Sequence, residues 1–223
     1  MQGYSAHSSL TTVGSLALGL QRRTEPAPAG VRDQSERSAI KTPGLQVLVA
    51  TFVAAGAIFG TLDVAMVAFT GQVGAPAAAG PLLALVALGS LLAGLTYGAR
   101  SWRWPLDKRF VASVVVLWGG TVPLVLVPSV AFMAPAATLA GVAIAPTLIA
   151  GFTLVQKLVP SGALTEGLNW MITALGVGAA IGAWTAGLIA DSAGGATAFL
   201  IAVVAGGAAV IVAACGRSRL LTR

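Results

Sequence analysis

Three long stretches of this chain contain no lysine or arginine. Between Lys41 and Arg100 there are 58 intervening residues. The next two stretches run from Arg109 to Lys157 and from Lys157 to Arg217, and they contain 47 and 59 residues. A helix needs about 20 predominantly apolar residues to cross the hydrocarbon core of a bilayer. Each stretch therefore has room for two crossings and a turn, which predicts six membrane-spanning helices in three hairpins.

The composition excludes an ordinary soluble enzyme. Apolar residues make up 57% of the chain and charged residues only 9%, whereas soluble domains carry roughly 25% charge. So few charges cannot cover a surface in contact with water. In lipid the backbone must satisfy its own hydrogen bonds, which a helix does, and the ten-residue alternation typical of a membrane barrel is absent. The sequence therefore predicts an all-α membrane protein.

Turn-forming residues between the apolar runs set the boundaries of the spans, because proline and glycine clusters interrupt helices. The predicted spans are residues 45–69, 77–99, 109–127, 130–155, 165–189 and 195–215. Together they form a transmembrane domain over residues 41–216. Residues 1–40 are polar and predict a disordered arm, and residues 217–223 form a short tail.

The basic residues also predict the orientation of the chain. All 13 lysines and arginines fall on one side of the membrane in this scheme, and the positive-inside rule makes that side cytoplasmic. We therefore expect a multi-pass protein of the cell membrane with both termini, the arm and the tail in the cytoplasm. The net charge of +6 then reflects topology and a lipid bilayer partner, and no nucleic-acid partner is expected.

The residues that most catalytic and cofactor sites require are scarce. The chain has one cysteine, Cys215, and one histidine, His7, which cannot supply an intrachain disulfide, a zinc cluster or a bis-histidine haem site. It contains no GxxxxGK[ST] phosphate loop and no GxSxG motif with a histidine in a membrane segment. We therefore expect no metal, no cofactor and no enzymatic activity, and a membrane-embedded enzyme is disfavoured.

Asp63 is the only ionisable residue well inside a predicted span. A charge there costs a few kcal/mol, so such residues normally face a cavity or a partner. One interpretation is a carboxylate that couples to protons or binds a cation, with Phe59 and Met66 as an apolar wall at helical spacing. The other is that Asp63, about 27 Å along the helix from Leu45, lies near the outer interface. Phe59 and Met66 would then pack or face lipid.

Three further sets of residues are candidates. Asn169, Trp170 and Thr173 can line a cavity in the fifth span. Small residues at four-residue spacing predict helix faces that approach closely; they are Ser90 with Gly94, Gly178 with Gly182, and Gly187 with Ala183. The loop between the second and third spans contains Gly98, Arg100, Arg103 and Arg109. These residues either set topology and meet anionic headgroups or close the cytoplasmic side as a gate, through an ion pair between two halves of the molecule.

Four segments resemble those of a known family when they are taken in order. They are AIKTPGL at 39–45; YGARSWRW at 97–104 with Lys108 and Arg109; LVPSG at 158–162 followed by TEG at 165–167; and Gly176, Gly178, Gly182 and Gly187 with Asp191. They resemble the central loop, the second basic loop, the loop before the eleventh helix and that glycine-rich helix of a major facilitator superfamily transporter. The resemblance covers about residues 39–216, the C-terminal six-helix half of a proton-coupled efflux protein.

This resemblance implies a function and also leaves an alternative. Such transporters move a small molecule by alternating access around a midplane site between two six-helix halves. This chain would supply one half and pair with a second half or with itself, and its substrate is not specified. One departure from the family is that the basic loop lacks the acidic residue that follows the glycine in the full signature. The alternative is a truncated or inactive six-helix membrane protein without transport activity of its own.

Overall fold

A computed structural model describes residues 38–221, and within this range the chain forms helices and no strands. The α-helices are α1 (Pro43–Gln72), α2 (Ala79–Ala99), α3 (Leu106–Val125), α4 (Val130–Gly141), α5 (Ile144–Leu158), α6 (Leu164–Ala193) and α7 (Gly195–Cys215). Six stretches are long and apolar enough to cross a membrane, with α4 and α5 together forming one of them. The predicted all-α fold with six spans is confirmed.

The arm falls mostly outside the described residues, whereas most of the tail lies within them. Of the predicted arm only residues 38–40 are described, and a 3-10 helix runs over Ala39–Lys41. Of the predicted tail, residues 217–221 are described, and a second 3-10 helix covers Arg217–Arg219. The structure therefore adds ordered turns to both edges of the predicted transmembrane domain.

The fourth predicted span, residues 130–155, is broken into two helices. Helix α4 ends at Gly141 and α5 begins at Ile144. Proline lacks a backbone N–H and disrupts the bond to the residue four positions earlier, and Pro146 stands four residues after Val142. The break therefore lies where the carbonyl of Val142 has no partner in a regular helix.

Helix α1 lies at the centre of the packing. It contacts α6 and α7 extensively, whereas α3 packs against α7, α4 and α5, and α2 packs against α4 and α5. One buried cluster surrounds Met66, Met133 and Phe199, and the other surrounds Phe52 and Phe110. These two clusters form the core between the helices.

Four glycines bring α1 and α6 into close contact. A Cβ added at Gly56 or Gly60 would overlap the backbone of α6, and one added at Gly178 or Gly182 would overlap the backbone of α1. Small residues allow such approach in membranes, where packing rather than hydrophobicity drives helix association. We call this contact the glycine seam.

Few side-chain hydrogen bonds connect different helices in the described part of the chain. Threonine hydroxyls mostly donate to carbonyls of their own helix, as in Thr51 to Val47, Thr138 to Ala134 and Thr185 to Ile181. A bond between helices runs from Trp118 Nε1 to the carbonyl of Val203, at 3.1 Å. The bundle is therefore held chiefly by apolar contact between its spans.

Candidate functional site

Asp63 is exposed on the surface of α1. It lies nine residues before Gln72, about 13 Å from the end of the helix at 1.5 Å per residue. One turn earlier, a Cβ at Gly60 would lie 2.9 Å from the backbone nitrogen of Ala183 on α6. Asp63 therefore lies one turn beyond Gly60, the second glycine that α1 contributes to the glycine seam. It has no ion-pair partner among the described residues.

Phe59 and Met66 do not share one surface with Asp63. The side chain of Met66 is fully buried in the core cluster that includes Phe69 and Met133. Phe59 is half-buried and packs against the same cluster. Met66, predicted to form an apolar wall beside the carboxylate, thus belongs to the core, whereas Asp63 lies on the outer surface of α1.

Helix α6 presents a polar stripe on its outer side. Asn169 and Thr173 are exposed one turn apart, and Gly176, one further turn along, has open space where a Cβ would stand. Trp170 is also exposed, but helical spacing places it in an adjacent apolar stripe with Ile181. The three predicted cavity residues of α6 are therefore accessible and lie on two neighbouring stripes.

The predicted packing residues differ in their surroundings. Gly178 and Gly182 belong to the glycine seam, whereas Gly187 has nothing within contact distance of an added Cβ. A Cβ at Gly94 would lie 2.9 Å from the Cβ of Ala145 on α5, and Ser90 is half-buried.

The closest contact between α2 and α4 involves two glycines that the sequence analysis missed. A Cβ at Gly89 would overlap the carbonyl of Thr138, and one at Gly141 would overlap that of Val86. Gly89 precedes Ser90 in the sequence, and no spacing pattern distinguishes the two positions. The identity of the neighbouring helix decides which small residue makes the contact.

The basic loop folds back on its own aromatic residues. The guanidinium of Arg109 lies 5.7 Å from the ring centroids of both Tyr97 and Trp102. That of Arg100 lies 5.2 Å from the Trp102 ring, and Trp102 Nε1 donates to the Tyr97 carbonyl at 2.9 Å. Gly98 and Arg103 are exposed. The sequence analysis selected the arginines but did not pair them with these rings.

Two polar contacts connect the helix ends that carry the basic residues. Arg217 Nε donates to the Asp107 carboxylate at 2.8 Å, joining the end of α7 to the start of α3. The Glu166 carboxylate on α6 accepts bonds from the Ser38 hydroxyl at 2.5 Å and the Ala39 N–H at 3.2 Å. Gly44 at the start of α1 also lies against Leu158 at the end of α5 and the Arg219 carbonyl, so these helix ends lie together. They and the loop between α2 and α3 carry the eight described basic residues, and we call this end of the bundle the basic end.

The acidic residues are too dispersed for shared chemistry. Within residues 38–221 there is no group of three histidine, cysteine, aspartate or glutamate side chains that could hold a metal ion. Asp107 and Glu166 are engaged at the basic end. Two described carboxylates remain outside these contacts, Asp63 and Asp191, and only Asp63 stands well inside a helix, because Asp191 is two residues from the end of α6.

Within residues 38–221, six stretches have the length and apolar composition of membrane spans, the pattern of an integral, multi-pass membrane protein. A sequence model of the Major Facilitator Superfamily matches residues 12–219. The chain belongs to the Major Facilitator Superfamily, a family of transporters. The match begins before α1, within residues predicted to form the arm. No curated protein matches the chain.

Proposed function

We propose that this chain forms a six-helix bundle of a secondary transporter that exports a lipophilic small molecule in exchange for protons. The observation that supports this function is the position of Asp63. Its carboxylate is exposed along a spanning helix and unpaired among the described residues. Intramembrane carboxylates are costly and typically mark ion or proton pathways.

The partner of this bundle is a second six-helix bundle, supplied by a further six helices or by another copy of the chain. The spans that contain α2 and α6 bury only 17% and 22% of their most apolar stretch, compared with 56% for α1. Helix α6 exposes the polar side chains Asn169 and Thr173 beside open Gly176. Small and polar residues favour helix contacts over lipid contacts, which supports a cavity and a bundle interface on this side.

The transport cycle follows from this arrangement. When the two bundles rock, the surface that carries Asp63 is exposed first to one side of the membrane and then to the other. A protonated Asp63 is neutral and tolerates an apolar environment, whereas the ionised form favours water or a cationic substrate. Exchange of a proton for substrate on this carboxylate would couple the proton gradient to export.

Transport by purified protein in vesicles tests the proposal. Ethidium serves as the lipophilic cation, and its fluorescence on entrapped DNA reports uptake driven by an acidic interior. We expect uptake by the unmodified chain, a loss of at least tenfold in Asp63→Asn, and little change in Asp191→Asn, which alters an exposed carboxylate at the end of α6. Unchanged uptake in Asp63→Asn would remove Asp63 from the mechanism. No uptake by a correctly folded chain would exclude a transporter built from copies of this chain alone, and would leave a separate second bundle or the inactive six-helix alternative.

We also propose that the basic end faces the cytoplasm, as the positive-inside rule requires. Cys215 is the single cysteine of the chain, is exposed, and ends α7 at the basic end. In sealed right-side-out vesicles a membrane-impermeant maleimide should leave Cys215 unlabelled. A cysteine at exposed Ala77 in a Cys215→Ala background should be labelled fully. The reverse pattern would invert the topology.

A further inference from the structure

A cleft of about 290 Å³ opens at the basic end of the bundle. Its walls are the last turns of α2, the first three turns of α3, the loop between them and the break between α4 and α5. The lining includes Tyr97, Arg100, Trp102, Arg109, Val116 and Pro146. Asp63, Asn169 and Thr173, on which the proposed transport function rests, do not line this cleft.

The cleft carries positive charge that the described protein does not neutralise. Among residues 38–221, neither Arg100 nor Arg109 has a carboxylate within ion-pair distance, since the nearby Asp107 is paired with Arg217. The Nε atom of Arg109 is buried and has no hydrogen-bond acceptor in the described structure. A buried donor that has lost water without gaining a partner is costly, so an anionic ligand in the cleft would be stabilised.

The shape of the cleft favours an amphiphile over a free anion. Arg109 stands in the first turn of α3, and Val116 is seven residues further along, about 10 Å deeper at 1.5 Å per residue. Val116 is exposed, and the wall formed by Val142 and Pro146 is apolar. One end of the cleft thus presents cations beside exposed tryptophans, as at a membrane interface, and the other end continues into the apolar span.

We propose that this cleft is a binding site for an anionic phospholipid. The phosphate lies against the guanidinium groups of Arg109 and Arg100, where charge-assisted hydrogen bonds are strongest. The acyl chains follow Val116 toward lipid. Because Val142 and Pro146 at the helix break form one wall, a bound lipid contacts the break between α4 and α5.

Lipid retention by the detergent-solubilised protein tests this site. Native mass spectrometry compares phosphatidylglycerol with phosphatidylcholine of identical acyl chains, added at equal concentrations. We expect the unmodified chain to prefer phosphatidylglycerol, and Arg109→Gln to lower that preference roughly tenfold, as loss of a charged hydrogen bond predicts. Arg103→Gln is the matched control, since Arg103 is in the same loop but does not line the cleft. It should change the preference less than twofold.

A second variant tests the cleft without altering charge. Ala112→Leu fills space in the cleft wall and should reduce retention of phosphatidylglycerol at least threefold, whereas Ala208→Leu on the exposed side of α7 should not. This pair decides the question if Arg109→Gln does not fold. Equal losses in Arg109→Gln and Arg103→Gln would overturn the site in favour of general surface charge. Displacement of the lipid by an equal concentration of glycerol phosphate would overturn the assignment to a phospholipid.

Discussion

The glycine seam and the basic-end cleft are both contacts between neighbouring helices, but the helices meet closely at the seam and leave a space at the cleft. At the seam Gly56, Gly60, Gly178 and Gly182 place backbone against backbone, and no added carbon fits. At the cleft, Trp102 and the Arg109 side chain occupy the junction of α2 and α3, and a volume of about 290 Å³ remains. The comparison teaches that residue size at a contact determines whether two helices lie backbone against backbone or leave space for a ligand.

The largest effect is expected from a side chain inserted into the seam. Gly182→Val would place its Cβ into the carbonyl of Ala57, and overpacking typically costs about 1–3 kcal/mol, with the upper end expected against backbone. The midpoint of thermal unfolding in detergent should fall by roughly 5–10 °C. Gly187→Val is the matched control on the same helix, because its Cβ meets open space. Equal shifts of the unfolding midpoint in the two variants would contradict the close packing of the seam.

A smaller effect is expected where charges, not packing, join the helices. The Asp107 side chain is 5% exposed and its partner Arg217 is 42% exposed. Removing Arg217 as Arg217→Gln leaves a buried carboxylate without its ion pair, at a cost of about 1–2 kcal/mol after allowance for solvent at the arginine. The unfolding midpoint should fall by about 3–5 °C, and the difference from the parent should shrink at high salt.

Arg219→Gln is the control for that pair. Arg219 is exposed on the same 3-10 turn, and its side chain makes no ion pair among the described residues. Its replacement should leave the unfolding midpoint within about 1 °C, because isolated surface charges contribute little. Equal unfolding midpoints for Arg217→Gln and Arg219→Gln would mean that the contact between Arg217 and Asp107 does not stabilise the basic end.

The smallest effect is expected at the entry to α1. Ser38→Ala removes the hydroxyl that donates to Glu166, while the Ala39 N–H still reaches the same carboxylate. We expect a loss of about 0.5–1 kcal/mol, read as a shift of about 2 °C in thermal unfolding. Ser218→Ala, at an exposed position of the basic end, should show no shift. A loss as large as that of Gly182→Val would mean that the entry, not the seam, dominates stability.

The number of spans could be predicted from the sequence because each long stretch without lysine or arginine has room for two crossings. Which face of each helix is buried could not be predicted in the same way. A soluble helix shows its buried face as an apolar stripe, but here core and lipid both accept apolar side chains. Met66 is fully buried and Val67 is exposed, and hydropathy does not separate them.

The candidate site could be predicted only where it contains a residue type that is rare inside membrane spans. Asp63 stands out in the sequence because no other ionisable residue lies well inside a predicted span, and the structure places it at the surface of α1. Gly182 and Gly187 look alike in sequence, yet only Gly182 meets another backbone. The functional roles of these residues, and of Asn169 and Thr173, stay predictions until transport is measured.

The hydrogen bonds of the threonines to their own helices affect how easily one helix can slide along its neighbour. Thr138 and Thr185 saturate their hydroxyls on carbonyls that move with them, so sliding one span along its neighbour would rupture none of those bonds. Resistance to such shear comes from dispersion forces, which change gradually with displacement. Helices that meet only through such apolar contacts can shift by small steps without breaking a hydrogen bond. The contact between α3 and α7 differs, because the bond from Trp118 to the Val203 carbonyl would have to break first.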